Sequence, residues 1–261
     1  PFHRWLPAAM VAPTPVSALL HAVAVVKAGV FTVMKVVVYI FGLDFLSASG
    51  ANVWLMYAAG TTIILASFVA LAQDNLKRRL AYSTVSQLSY IVLGAALANS
   101  WGVVGGSMHI AMHAFGKITL FFCAGAIYLA THKTEISDMR GLGRTMPITM
   151  FAFLIGALSV IGVPPLGGSW SKWYLALGAV DAGQWVFVTI LMVSSLLNIA
   201  YLIPIPIRGF FSSGPDSVPG APIKEAPLFC VIALSLTAIG CIALFFFADG
   251  VYQLLLPLAG G

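Results

Sequence analysis

Apolar stretches of about 20 residues recur along this chain, and no other feature restricts its fold as strongly. A helix of that length crosses the roughly 30 Å hydrocarbon core of a bilayer, where only helices and closed barrels satisfy their backbone hydrogen bonds. Hydrophobic residues make up 60% of the 261 residues and charged residues 8%, whereas about a quarter of the residues in a soluble domain are charged. The sequence therefore predicts an all-α, polytopic integral membrane protein surrounded mainly by lipid.

Turn residues and charges divide the sequence into seven predicted spans. These spans are residues 15–41, 52–72, 80–98, 102–130, 147–180, 184–207 and 227–247. The span 147–180 is too long for one straight helix and contains the segment GVPPLGGSWSK. Because its prolines and glycines interrupt helical hydrogen bonding, we expect two half-helices that meet at Pro164–Gly168.

The basic residues of the loops lie on one side of this layout. If the spans alternate in direction, one side holds nine Lys and Arg residues, in residues 1–14, 73–79, 131–146 and 208–226. The other side holds none, in residues 42–51, 99–101, 181–183 and 248–261. The positive-inside rule then predicts that loops 73–79, 131–146 and 208–226 are cytoplasmic, in the inner (plasma) membrane. Membrane topology thus accounts for the formal net charge of +5 without a nucleic-acid partner.

Four lysines remain within the predicted spans: Lys27, Lys35, Lys117 and Lys172. All eight Asp and Glu residues lie in loops or at span ends, so no carboxylate within the spans can pair with these lysines. A lysine at bilayer depth costs a few kcal/mol on insertion scales, and burial disfavours its charged form. Such an amine can take up and release protons as neighbouring charges and water change.

The segment HIAMHAFGK places His109, His113 and Lys117 at positions i, i+4 and i+8, on one face of a helix. Imidazoles titrate near neutral pH, so this face can pass protons along a file of water. The alternative is that the histidines only hydrogen-bond across helices. A zinc site would need further ligands, and no Glu follows His109 as the HExxH motif requires; we predict no metal and no cofactor.

Other polar residues are candidates for the same relay. Lys27 lies near the middle of the first complete span, and Lys172 follows the predicted break, where unpaired amides and carbonyls can hold water or ions. The secondary candidates are His21, Lys35, Ser169 and Ser171. Lys35 is nearer the end of its span and can snorkel to the interface. Ser83, Ser86 and Ser89 also recur at helical spacing, but serine commonly packs between membrane helices.

The remaining motifs exclude several classes of function. Cys123, Cys230 and Cys241 lie in apolar stretches without a CxxC pair, so neither disulfides nor a metal site is indicated. The sequence contains no nucleotide loop, nucleophile elbow, haem motif or iron–sulfur pattern, so a self-contained enzyme is not expected. The chain begins at Pro1 without a signal peptide, and we expect it to be the later part of a longer protein.

Four ordered segments carry a resemblance to a known family: PFHRWLPAAMVAPTPVSALLHAVAVVKAGVF, KRRLAYSTVSQLSYIVLGAAL, HIAMHAFGKITLFFCAGAIY and GVPPLGGSWSKWYLALGA. They resemble the antiporter-like membrane subunits shared by respiratory complex I, membrane-bound hydrogenases and Mrp-type cation/proton antiporters. The segments GSWSKWYL and LLNIAYLIPIPIRGFF favour the D-type members of the Mrp group.

The resemblance implies a fold of fourteen helices with two inverted five-helix repeats, each with one broken helix. Residues 1–41 would then end the first repeat with a half-helix and one span, 52–207 would form the second repeat, and 227–247 would be a peripheral helix. Lys27, Lys117 with its histidines, and Lys172 match the relay residues of the family. Ala8 replaces an acid that most members have, and Ser169 replaces an aromatic residue that many have.

Together these features predict a proton-translocating subunit of a multisubunit membrane complex, with other membrane subunits as partners. In an Mrp-type complex protons would be exchanged for Na⁺. The alternative is a subunit of a complex I-type NADH:quinone oxidoreductase or a hydrogenase, which would not carry the redox chemistry itself. Two rival hypotheses are a non-conducting scaffold and a membrane metalloenzyme that uses His109 and His113.

Overall fold

The computed structural model describes residues 5–20, 24–212 and 223–259, and these segments are helical apart from turns and short connections. Their single β contact is an isolated bridge between Asn75 and Glu135. The α-helices in the described ranges are α1 (Trp5–Ala8), α2 (Thr14–Ala18), α3 (Val25–Lys35), α4 (Leu43–Ser49), α5 (Val53–Ala72), α6 (Leu76–Ala96), α7 (Ser100–Thr131), α8 (Leu142–Thr145), α9 (Pro147–Ile161), α10 (Gly168–Asp181), α11 (Trp185–Leu202), α12 (Pro204–Phe211), α13 (Leu228–Phe246) and α14 (Ala248–Leu255). The all-α prediction is confirmed.

Four helical segments within the described residues are long and apolar enough to cross a membrane by themselves. They are Val53–Ala72, Ser100–Thr131, Trp185–Phe211 and Leu228–Phe246. A fifth candidate is the bent pair Val25–Phe41 and Leu43–Ser49, whose axes differ by 81°. All five fall on predicted spans, and helix α4 occupies part of a segment predicted to be a loop.

Helix α6 is 21 residues long but is not in this set. Its buried residues include Ser83, Thr84, Ser86 and Gln87, which lower its hydropathy. These polar side chains are turned into the bundle, where α6 packs against α5 and α7. The helix therefore presents hydrogen-bonding groups to its neighbours and not to lipid, which membrane helices tolerate only in a protein interior.

The long helix α7 is the centre of the bundle and packs against α6, α9, α10 and α13. Its 32 residues correspond to about 48 Å of helix, so it is longer than the hydrocarbon core is thick. Asn99 caps its first turn by accepting a 2.8 Å hydrogen bond from the backbone N–H of Gly102. The helix carries three of the predicted site residues to the middle of the bundle.

The predicted break is present between α9 and α10. Helix α9 ends at Ile161, Gly162 has a positive φ of 89°, and α10 begins at Gly168. The peptide bond between Pro164 and Pro165 is cis. Carbonyls in the last turn of α9 cannot find partners within the helix, and the break thus leaves backbone acceptors beside the bundle interior.

Some element bounds differ from those predicted. Helix α6 begins at Leu76, four residues before its predicted start, because Asn75 accepts a hydrogen bond from the backbone N–H of Arg78 and caps the helix. The basic residues of loop 73–79 thus lie partly in its first turn. Residues 248–261 were predicted to be a loop, but α14 occupies Ala248–Leu255 because Val251, Tyr252 and Leu255 pack in a cluster with α7 and α10.

Candidate functional site

The face of α7 predicted from sequence is present and buried. His109 and His113 are 1% and 2% exposed, and their ring centres are 5.6 Å apart. Lys117, one turn further along, is completely buried. The three side chains do not form a direct chain of hydrogen bonds, however, because they bond to neighbouring helices: His109 to α6 and α10, His113 to α3, and Lys117 to α6.

Lys27 of α3 contacts His113. The distance from Lys27 Nζ to His113 Nδ1 is 2.7 Å, and Lys27 is 7% exposed. A charged lysine has no acceptor and would donate to a neutral imidazole, whereas a neutral amine can accept a hydrogen bond from Nδ1–H. The sequence placed both residues in one site but could not show that they touch, since 86 positions separate them.

His109 connects α7 to α6 and to α10. Its Nε2 lies 3.0 Å from Gln87 Oε1, and its Nδ1 lies 2.9 Å from Ser171 Oγ. The ring of Tyr90 stacks on the imidazole with a centroid distance of 5.6 Å. These contacts hold the imidazole between two hydrogen-bonding side chains from other helices.

Ser171 allows His109 to be either neutral or protonated without a change of position. The Ser171 hydroxyl is also 3.1 Å from the carbonyl oxygen of Gly168. A neutral imidazole with its proton on Nε2 accepts at Nδ1, so the hydroxyl donates to the ring. When both ring nitrogens carry protons, Nδ1 donates to Ser171 and the hydroxyl donates to Gly168.

Lys172 lies beside the break between α9 and α10. Its Nζ donates to the carbonyl oxygen of Ile161 at 2.8 Å and to Ser195 Oγ at 3.2 Å. The same nitrogen is 5.0 Å from the centre of the Tyr90 ring, a distance typical of a cation–π contact. Since Ile161 is the last residue of α9, the break supplies an acceptor and the negative end of a helix dipole to this lysine.

Lys117 turns away from the histidines and toward α6. Its Nζ donates to Ser83 Oγ at 2.6 Å and to the carbonyl oxygen of Leu80 at 3.1 Å. Ser83 also shares a 3.0 Å hydrogen bond with the hydroxyl of Tyr201 on α11. Ser83 is therefore a ligand of the lysine and not only a packing residue.

Of the secondary relay candidates, only some lie in the site. Ser171 joins the site through His109, whereas Ser169 donates to the carbonyl oxygen of Leu166 at 2.7 Å, a contact within its own turn. Lys35 is exposed, with its Nζ 5.6 Å from the centre of the Phe31 ring. His21 lies outside the described residues.

Five further polar residues belong to the site, but the sequence did not single them out. They are Gln87 and Tyr90 on α6 and Ser195, Asn198 and Tyr201 on α11. A signal for them existed, since polar residues recur every three or four positions on both helices. Serine, asparagine and tyrosine are common in membrane helices, so periodicity alone did not distinguish a site from packing.

Cations and neutral polar groups make up the site. None of the hydrogen bonds to Lys27, Lys117 and Lys172 within the described segments comes from a carboxylate. Each additional proton in the cluster is therefore opposed by the charges already there. An arrangement of this kind favours transfer of a proton over its retention.

The donor set does not fit a metal. Both ring nitrogens of His109 already contact Gln87 and Ser171, and Lys27 occupies Nδ1 of His113. In the described segments no three His, Cys, Asp or Glu residues are grouped as metal ligands are. The cysteines at positions 123, 230 and 241 are free.

Comparison with known proteins supports the resemblance. Residues 1–198 match the family described as NADH:quinone oxidoreductase/Mrp antiporter, TM. The chain is 40% identical over 223 residues to NADH-quinone oxidoreductase subunit N of Desulforudis audaxviator (strain MP104C), covering 85% of this chain and 44% of the relative. It is 40% identical over 193 residues to NADH-quinone oxidoreductase subunit L of Rickettsia bellii (strain RML369-C), covering 71% of this chain and 28% of the relative.

Three solved structures have a similar fold. A chain of the archaeal membrane-bound sulfane sulfur reductase superimposes with a TM-score of 0.87 at 29% identity, covering all of this chain and 52% of that one. A chain of complex I from Thermus thermophilus gives a TM-score of 0.82 at 25% identity, with coverage of 100% and 56%. For the Mrp complex from Dietzia sp. DQ12-45-1b the TM-score is 0.83 at 22% identity, with coverage of 98% and 54%, a likeness of fold alone.

The chain spans about half the length of the solved chains it matches, and less than half of the two curated relatives. The three structures come from multisubunit membrane assemblies. The family description names both NADH:quinone oxidoreductase and Mrp antiporter, and the two curated relatives are NADH-quinone oxidoreductase subunits.

Proposed function

We propose, from the premise that the chain belongs to the NADH:quinone oxidoreductase/Mrp antiporter family, that its buried lysines and histidines relay protons in the membrane part of a multisubunit complex. The protein would act there as an antiporter-like membrane subunit. Its partners would be other membrane subunits, and it would not carry redox chemistry itself. We place it in the inner (plasma) membrane with loops 73–79, 131–146 and 208–226 in the cytoplasm, as the distribution of Lys and Arg favours.

The observation that carries this proposal is the hydrogen bond between Lys27 and His113. A buried amine and a buried imidazole 2.7 Å apart differ in basicity but share one proton position, which is a suitable geometry for proton transfer. The contacts continue from the adjacent ring of His109 through Ser171 to α10, where Lys172 is the next residue. Three helices, α3, α7 and α10, thus contribute to this polar path.

The mechanism we propose is electrostatic. A proton that arrives at Lys27 raises the local positive charge. Because no carboxylate is bound to the lysines, this charge repels a proton on the next titratable group, and the repulsion is strong at low effective dielectric. His109 can accept the proton in place because Ser171 can reverse its hydrogen bond. Lys172 would receive the proton next, and repulsion from the following proton would release it.

The coupled ion depends on the branch. In an Mrp-type complex the subunit would exchange protons for Na⁺, whereas in a complex I-type assembly quinone reduction in partner subunits would drive the protons. Assays on the purified native complex distinguish these two branches, since oxidation of NADH by the complex indicates a complex I-type assembly. Sodium-dependent proton flux without NADH oxidation indicates an Mrp-type complex.

A pair of matched histidine substitutions tests the relay. In the full-length chain, assembled with its partners in proteoliposomes, His113→Asn replaces a titratable ring by an amide that cannot be protonated near neutral pH. We expect proton flux to fall by at least about tenfold, as is common when a proton-transfer group is removed. His132→Asn is the control, because His132 lies at the end of α7 with a positive φ of 57° that asparagine tolerates.

Full proton flux in an assembled His113→Asn complex would overturn the proposal. In that case the site would be a structural network, and the scaffold hypothesis would account for the buried lysines. Assembly is checked by the yield of intact complex, and both histidine variants should give the wild-type yield.

A further inference from the structure

Two cavities adjoin at the end of the bundle that the distribution of basic residues places in the cytoplasm. One, of about 530 Å³, lies between α1, the start of α6 and the end of α7. The other, of about 610 Å³, continues along α7 between α2 and α13. Both volumes are typical of small-molecule sites, roughly 300–1,000 Å³. Val11, Lys77 and Tyr128 line both cavities, and we call the pair the α7 groove.

The first of the two, the basic cavity, is lined by Lys77, Arg78 and Lys133. No Asp or Glu is among the described residues that line it. Lys77 donates to the carbonyl oxygen of Ala12 at 3.1 Å, which uses one of the three donors of an ammonium group. Ala8 is exposed and contributes only a methyl group to the wall. The charges of this lining favour an anion.

The acids nearest to the basic cavity along the chain make hydrogen bonds elsewhere. Glu135 Oε1 accepts from Asn75 Nδ2 at 2.9 Å and from Thr134 Oγ1 at 3.0 Å. Asp74 accepts from the backbone N–H of Ser137 at 3.2 Å and from its hydroxyl at 2.7 Å. These two carboxylates hold the loop after α7 against the start of α6, and neither of them lines the cavity.

The second of the two, the apolar cavity, has aromatic and aliphatic walls. Phe121, Phe122 and Leu129 of α7 line it together with Phe229 and Ala233 of α13. Leu129 is 52% exposed and Phe229 is 84% exposed, so this cavity opens on the outer surface of the bundle. In a membrane protein that surface is in contact with lipid chains, and an alkyl chain can lie between α7 and α13 by burying apolar area.

Tyr128 lies where the two cavities meet. It is in the last turn of α7 and is 46% exposed. Tyrosine is enriched at the boundary between hydrocarbon and water, where its ring lies at the level of the lipid headgroups. The basic cavity is then on the water side of this boundary and the apolar cavity on the hydrocarbon side.

We infer that the α7 groove binds an anionic phospholipid, with its phosphate in the basic cavity and one acyl chain in the apolar cavity. The lining changes from charged to apolar once, at Tyr128, as a phospholipid does between headgroup and chain. Anionic lipids in the cytoplasmic leaflet attract basic residues near the membrane surface. The bound lipid would join α7 to α13 and to the connection before α2. No residue of the proposed relay lines the groove, so this inference goes beyond that function and does not depend on it.

A pair of substitutions at Ala8 tests the role of charge. The full-length chain in its complex is placed in nanodiscs of phosphatidylcholine that contain increasing amounts of a photoreactive phosphatidylglycerol. Peptide mass spectrometry then quantifies the label on residues 118–133 and 225–247. Ala8→Asp brings a carboxylate next to the phosphate, and we expect the apparent affinity for the probe to fall by about fivefold. Ala8→Asn is the matched control of the same size, and it should bind as the wild type does.

A second pair of substitutions tests the apolar cavity. Ala233→Phe fills it without a change of charge, and we expect labelling of the same residues to fall by about fivefold or more, since the acyl chain loses its contact area. Leu236→Phe is the control, because Leu236 is 63% exposed on the same helix and does not line the cavity. The yield of intact complex should be the same for all four variants.

Three results would overturn the inference. The first is equal labelling by photoreactive phosphatidylglycerol and photoreactive phosphatidylcholine, which would show that the basic cavity does not select charge. The second is equal labelling of Ala8→Asp and Ala8→Asn. The third is the absence of label from both peptides in the wild-type complex, which would show that protein, from this chain or from a partner subunit, covers the groove. Each of these results leaves the proposed relay as it stands.

Discussion

At the scale of single residues, the relay depends on the proton positions that each side chain can offer. Ser171 is the clearest case, because its hydroxyl faces His109 Nδ1 on one side and the carbonyl of Gly168 on the other. Ser169, two positions earlier, was an equal candidate from sequence, yet its hydroxyl bonds to Leu166 in its own turn. Two serines on one helix therefore provide a test in which one hydroxyl contacts His109 and the other does not.

We predict that Ser171→Ala lowers proton flux by roughly tenfold, whereas Ser169→Ala leaves it near the wild-type value. Alanine at position 171 leaves His109 Nδ1 without a partner, so the imidazole loses the group that stabilises it in both protonation states. The measurement is flux in proteoliposomes at matched complex content. Equal flux in the two variants would show that His109 does not need this serine.

At the scale of elements, the break between α9 and α10 positions Lys172. Gly168 begins α10 against the last turns of α9, and a Cβ atom there would overlap the backbone carbonyl of Ser159. That carbonyl belongs to the helix backbone and cannot move aside as a flexible side chain can. The two half-helices thus require glycine at this position in order to pack.

We predict that Gly168→Ala destabilises the protein by about 3 kcal/mol or more, the upper range for overpacking, and displaces Lys172 from Ile161. Gly250→Ala is the control, because nothing lies within 4 Å of a Cβ added there in α14. Thermal unfolding of the purified complex and its yield measure the effect. A Gly168→Ala protein as stable as the Gly250→Ala protein would contradict this account of the break.

Sequence reasoning succeeded for features that local chemistry determines. The spans follow from hydrophobicity, the break follows from Pro164, Pro165 and their flanking glycines, and the common helix face of His109, His113 and Lys117 follows from their spacing. It did not reveal which residues touch, because contacts such as Lys27 with His113 join positions 86 apart. The start of α9 is a further example, since Glu225 accepts from the backbone N–H of Ile148 at 2.7 Å across 77 positions.

At the scale of the whole molecule, the charges divide into two populations. Basic residues outside the bundle gather at one end of the predicted topology, while Lys27, Lys117 and Lys172 form an internal cluster whose described hydrogen bonds come from neutral groups. The first population sets orientation in the membrane. The second has no carboxylate among its described hydrogen-bond partners, so a proton gained at one lysine is not neutralised within the cluster.

We predict that Arg78→Cys is labelled by a membrane-impermeant thiol reagent from the cytoplasmic side, and that Asp44→Cys is labelled from the opposite side. Both residues are exposed, and they lie in predicted loops on opposite faces. The experiment uses inside-out and right-side-out vesicles in a background without native cysteines. Labelling of both positions from the same side would contradict the proposed orientation.

The central claim, that protons pass through the lysines inside the bundle, is tested most directly at Lys172, the last lysine of the proposed histidine path. The measurement is proton flux in proteoliposomes containing the intact complex with Lys172→Ala, compared with Lys224→Ala, which removes an exposed lysine. We predict that Lys172→Ala abolishes flux while the complex assembles in normal yield, and that Lys224→Ala conducts as the wild type does. Full proton flux with Lys172→Ala would contradict the claim.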